Sequence, residues 1–66
     1  MRIHYDPSAD AMYLRLAEGI VADSDGVREG VVLDYDADGK VLGIEVLDFS
    51  KRADNPREMA FEMLLD

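Results

Sequence analysis

Val31-Val32-Leu33-Asp34-Tyr35-Asp36-Ala37-Asp38-Gly39-Lys40-Val41-Leu42-Gly43-Ile44-Glu45-Val46 supports two incompatible readings, and the choice between them decides the fold. Asp34, Asp36, Asp38, Gly39 and Glu45 stand where a calcium loop of the EF-hand kind places its oxygens and its bend glycine. Such a loop needs a helix on each side to hold it open around the ion. Here the flanks are Val31-Val32-Leu33 and Val41-Leu42-Gly43-Ile44, whose β-branched residues favour strands. The stretch therefore reads as a hairpin around a tight acidic turn. A cation held by Asp34, Asp36, Asp38 and Glu45 is the alternative reading.

Register decides whether the two apolar stripes meet. A four-residue loop from Asp36 to Gly39 makes Tyr35 and Lys40 the closing pair. Leu33 then faces Leu42 and Val31 faces Ile44, so both stripes share one side. A slip of one residue would split them. Gly39 can take positive φ without a Cβ clash. Asp36, Asp38 and Gly39 thus have a turn-forming role that needs no metal.

Outward from the hairpin, Ile3 and Tyr5 alternate with Arg2 and His4, the period of a half-buried strand over about 2–5. Asp6-Pro7-Ser8-Ala9-Asp10 reads as a turn. Met12, Leu14 and Leu16 form a returning strand over about 11–16. Ile20-Val21-Ala22 suggests a short edge strand over about 20–24. The hairpin arms run over about 30–35 and 40–47. Asn55-Pro56-Arg57-Glu58 is a helix start signal, with Asn55 as cap and Pro56 at the first helical position. Met59, Ala60, Met63 and Leu64, widened by Phe61 and Leu65, form an apolar stripe at helical spacing over about 56–65. So short a helix must pack on something. The expected fold is a single α+β domain: an antiparallel sheet of four to five strands with one C-terminal helix on its apolar face.

Size sets the energetic problem. A chain of 66 residues buries only about 60% of the surface it exposes when unfolded. The usual supports are disulfides, a structural metal or oligomerisation. There is no cysteine, which removes the first and fits a reducing cytoplasm, the expected location. Self-association as a homo-oligomer is the expectation from size. With 15 acidic and 7 basic residues, net charge is −8. That balance argues against nucleic acid, whose binding rests on neutralising phosphates, and against anionic membranes. It leaves a basic protein or a cation as partner, beside the simpler role of solubility alone. No apolar run approaches the ~20 residues a spanning helix needs, and the first residues lack the apolar stretch of a secretory signal.

Two blocks of the sequence resemble a known family. They are Tyr5-Asp6-Pro7 with Asp10-Ala11-Met12-Tyr13-Leu14, and the long stretch from Gly30 to Asp48. Together they are similar to the small prokaryotic family catalogued as domain of unknown function 2283, over roughly residues 3–50. The resemblance implies a compact β-rich domain without established activity. It also suggests an antitoxin-like role, because some relatives are encoded beside small toxin-like proteins. It supplies no catalytic residue, and the segment from Lys51 onward lies outside it.

The remaining candidates are read against simpler roles. Asp34, Asp36, Glu45 and Asp48 project from the side opposite the apolar stripes, as a solvated acidic face. Paired carboxylates do acid–base work only in a cleft that separates their pKa values, so no catalytic residue and no cofactor is assigned. His4 has no nucleophile beside it and reads as a surface residue. Tyr13, Val32 and Val41 make the second face partly apolar. Gly43, mid-strand, admits either Val32 or Tyr13 close to the backbone.

Overall fold

The computed structural model describes residues 1–65. Five strands, β1 (Arg2–Asp6), β2 (Ala11–Arg15), β3 (Asp23–Arg28), β4 (Val31–Tyr35) and β5 (Val41–Leu47), precede one short helix, α1 (Phe49–Arg52). The strands form one antiparallel sheet in the order β1-β2-β5-β4-β3. The long hairpin arm β5 therefore lies at the centre, with β2 on one side and β4 on the other. This is the expected α+β class.

The hairpin keeps its parity by two compensating departures. The Asp36 amide donates to the Lys40 carbonyl at 2.9 Å and the Gly39 amide to the Asp36 carbonyl at 3.1 Å. The turn is thus closed by Asp36 and Lys40, one residue tighter than the sequence suggests. Tyr35 then faces Val41, and an irregularity follows, after which Asp34 faces Gly43 and Leu33 faces Ile44. The extra residue, Leu42, adds a second one-residue shift. The register is displaced by two residues from the expected pairing, an even number. The stripes therefore still meet on one face. Asp36 Oδ1 accepts the amides of Asp38 and Lys40, both at 2.9 Å, which fixes the bend. Gly39 sits at φ 83°, a region that glycine enters without a Cβ penalty.

β3 is one of the two edge strands, with β1 at the other side, and it begins three residues later than its apolar start suggested. Its place is set by the turn at Gly30 (φ 76°), which folds the residues just before it back along β4. Pairing runs Asp23 to Tyr35, Asp25 to Leu33 and Arg28 to Val31, with a shift between Gly26 and Arg28. Every residue of β3 is exposed. Polar side chains suit such an edge, because they discourage pairing with foreign strands. Ile20 and Val21 stay in the preceding loop.

The C-terminal helix is not where its stripe predicts. It spans Phe49–Arg52, and residues 56–65 hold a turn followed by irregular chain. The expected start signal at Asn55 makes a single turn, and no helix follows it. Asn55 Oδ1 accepts the Arg57 amide at 3.1 Å, and the Asn55 carbonyl accepts the Glu58 amide at 3.1 Å. A helix of about ten residues needs a packing surface to repay its nucleation. Here Met59, Phe61, Met63, Leu64 and Leu65 are all exposed.

What α1 does have is an anchor from the first hairpin turn. Asp6 Oδ1 takes the Ser8 amide at 2.9 Å, and the turn ends at Asp10, whose φ is 51°. The Asp10 carbonyl accepts the Phe49 amide at 3.0 Å. Its carboxylate accepts the Ser50 amide at 2.9 Å, the Ser50 hydroxyl at 2.6 Å and the Tyr5 hydroxyl at 2.7 Å. Asp10 thus serves as a cap supplied from elsewhere in the chain. At the far end of α1, Arg52 donates to the carbonyls of Leu47 and Glu29. The helix ties the β1–β2 turn to the β3–β4 turn across the end of the sheet.

Among the described residues Leu42 is the one buried apolar side chain, at 1% exposure. It lies against Gly19, where a Cβ would meet its methyl carbons at 3.1 and 3.2 Å. Among the described residues no helix is long and apolar enough to cross a membrane.

Candidate functional site

The register builds two faces of opposite character. On one, residues in pairing register line up across the strands. Ile3, Leu14, Ile44 and Leu33 form one row, which ends on Asp25 of the edge strand. Tyr5, Met12, Val46 and Val31 form the next, which ends on Arg28. Eight apolar residues thus make a continuous surface. None of them is buried: Ile3 and Tyr5 are exposed and the other six are half-buried. Phe49 tilts against Tyr5, with ring centroids 5.4 Å apart, at the end of this surface.

The other face carries the polar rows. His4, Tyr13, Glu45 and Val32 stand in one row, and Arg2, Arg15, Gly43, Asp34 and Ser24 in the next. Arg15 donates to the carbonyls of Ala17 at 2.8 Å and Gly19 at 2.6 Å, so the loop beyond β2 curls back onto this side. Its guanidinium also reaches the Tyr13 hydroxyl at 3.4 Å. The Tyr13 ring lies across Gly43, over the space a side chain there would fill. Of the two neighbours that the sequence allowed for Gly43, it is the tyrosine that approaches.

This arrangement corrects the picture of a solvated acidic face. Asp34 is 6% exposed and its Oδ1 accepts the Ser24 hydroxyl at 2.6 Å. Glu45 is half-buried beside it. Burial pushes the Glu45 carboxyl above its ordinary value; the charge of Asp34 and a hydrogen bond with it push the same way. Asp36 spends an oxygen on its own turn, and Asp48 stands at φ 52° at the start of α1. Ser24 and Arg15, which complete the polar cluster, carried no signal in the sequence: Ser24 lies in a stretch with no apolar periodicity, and Arg15 looked like an outward strand residue.

Asp34, Asp36, Asp38 and Glu45 are not drawn together around a common point. Among the described residues no three His, Asp or Glu side chains are gathered as metal ligands. The flanks of the bend are strands, as expected, and Asp34 and Glu45 are diagonal neighbours on adjacent strands rather than ligands around a loop. An open groove of about 380 Å³ lies elsewhere, lined by Ala22, Asp23, Asp25, Tyr35, Asp36 and Ala37 among others. Neither member of the Asp34–Glu45 pair borders it.

Fold and faces define a small single-sheet α+β domain, polar on one side and uncovered and apolar on the other. The chain belongs to the protein family of unknown function DUF2283, which it matches over residues 2–50. The match takes in all five strands and the first half of α1, and leaves out the exposed tail. Comparisons with curated proteins and with solved structures found no match.

Proposed function

We propose that this chain is a non-enzymatic protein-interaction module whose working surface is the apolar face of its sheet. The observation that supports this reading is the pair of apolar rows, eight residues across four strands, none of them buried. A stable domain packs at least two layers around its core. Here the second layer is missing, since among the described residues neither α1 nor the chain beyond it has a buried residue. Contiguous exposed apolar surface of this kind marks protein contact. The net charge of −8 suits the rest of the surface to a basic protein, the chemistry that an antitoxin-like role would require.

Nuclear magnetic resonance with a soluble paramagnetic probe tests the reading. In dilute solution, before any association, the methyl groups of Ile3, Leu14, Leu33 and Ile44 should be broadened strongly. Protection of those methyls at every dilution would mean that the chain covers its own face, and would overturn the proposal.

A further inference from the structure

We infer that the occupant of the apolar face is a second copy of this chain, stacked face to face in a two-fold dimer that pairs Asp25 of each copy with Arg28 of the other. The inference rests on the interaction reading above and names its partner.

Charge placement picks out the second copy. The row Ile3–Leu14–Ile44–Leu33 ends on Asp25, and the row Tyr5–Met12–Val46–Val31 ends on Arg28. No charged residue interrupts either row before β3. Take a two-fold axis in the plane between the sheets, running along the rows and midway between them. It lays the Ile3 row of one copy over the Tyr5 row of the other. Strand β3 then lies over β3, Asp25 over Arg28, and by symmetry Arg28 over Asp25. The contact is isologous, as closed dimers require. Packed sheets lie about 10 Å apart, a gap that an extended arginine and an aspartate can bridge between them. Turning instead about an axis along the strands would set β3 over β1 and bring Asp25 against Ile3. That arrangement strands a charge on an apolar residue, and it is disfavoured for that reason.

Size agrees. Strands spaced about 4.8 Å apart and rising about 3.3 Å per residue make a five-stranded face roughly 24 by 17 Å. Two such faces cover roughly 800 Å² of plane, and more accessible surface than that once side chains are counted. This approaches the lower end, about 1,200 Å², of stable specific interfaces. It would turn one sheet with a single buried apolar side chain into a sandwich with a core.

Charge reversal tests the pairing without touching the apolar rows. Wild type should sediment as a dimer. D25R and R28D should each associate about tenfold more weakly at low salt, because each symmetric contact then brings like charges together. An equimolar mixture of the two variants should recover wild-type association as a heterodimer, since every cross-copy pair is again opposite. A charge pair within one chain could not produce that recovery. Wild type that stays a monomer at high concentration overturns the inference, as do variants that associate like wild type or fail to recover on mixing. A monomer whose Leu14 and Ile44 methyls stay open to the paramagnetic probe sinks the dimer alone. A monomer with those methyls protected sinks the interaction reading too.

Discussion

Tyr13 lies over Gly43, with its hydroxyl and ring edge in the volume that a Cβ at position 43 would need. The two residues sit on adjacent strands and neighbouring rows of the polar face, since Tyr13 pairs with Glu45 and Gly43 pairs with Arg15. Gly43 weakens its strand locally and in return lets the tyrosine cover the Asp34–Glu45 pair's side of the sheet. Gly43→Ala should therefore destabilise the domain by about 1–3 kcal/mol, the usual range for overpacking. Trimming the tyrosine should relieve much of that. In a double-mutant cycle by urea unfolding, Gly43→Ala with Tyr13→Ala should lose less than the sum of the single changes. Strict additivity would mean that the two side chains do not compete for one space.

Leu42 is the largest single apolar burial in the domain. Leu42→Ala should cost about 2–5 kcal/mol, the range for emptying a packed site. Chemical denaturation reads the change directly. A cost below about 1 kcal/mol would show that Leu42 packs less tightly against Gly19 than its burial implies.

Glu45 and Asp10 should shape the pH profile in opposite directions. The Glu45 carboxyl is raised by burial, then by the Asp34 charge and hydrogen bond. Its folded form holds a proton more tightly than the unfolded chain does. The stability it lends is full below the ordinary glutamate value and is lost as pH rises through the raised folded value. Glu45→Gln should flatten that decline in thermal melts between mildly acidic and neutral pH. Unchanged pH dependence in this variant would contradict the raised Glu45 carboxyl.

Asp10 is lowered, first by the Ser50 hydroxyl, then by the Tyr5 hydroxyl and the Ser50 amide. Its stability is present above the unfolded aspartate value and is lost as pH falls through the depressed folded value. Asp10→Asn tolerates the positive φ but loses the ionised acceptor. It should lower the melting temperature at neutral pH and narrow its difference from wild type in acid. Hydrogen exchange should quicken first at the amides of Phe49 and Ser50, which Asp10 holds. Faster exchange in β4 and β5 with α1 unchanged would place the anchor elsewhere.

The tail beyond residue 55 should be dispensable for the sheet. Its apolar side chains are exposed, and surface changes rarely move stability by more than about 0.5 kcal/mol. For a domain of this size that is within about 4 °C of melting temperature. A chain ending at Asn55 should melt within that margin, measured by circular dichroism. Loss of cooperative melting would show that the tail is part of the core.

The strands were legible because alternation is a local signal. Ile3 and Tyr5, Met12 and Leu14, Val31 and Leu33, and Ile44 and Val46 each declared a face within a few residues. Their meeting on one face depended on parity, and parity survived because the tighter turn and the one-residue irregularity together shift the register by two. Neither departure leaves a mark in the hydrophobic pattern. The tail misled for the opposite reason: Asn55 holds one turn, yet a helix depends on a packing surface that a stripe does not reveal. The polar cluster was half visible. Asp34 and Glu45 stood out by charge, but their burial follows from Tyr13 and from Ser24 of a strand whose pairing only the fold sets. The uncovered state of the apolar face could not be read from periodicity, which says which side chains share a face and nothing of what lies over it.

Small-angle X-ray scattering at graded concentrations tests the central claim most directly, because it weighs the particle and measures its spread at once. A face-to-face dimer should show a mass near twice the 7.4 kDa of one chain, and a radius of gyration above the 13.1 Å of the single chain. Dilution should bring both down together. A mass of one chain with the single-sheet radius at every concentration would contradict it.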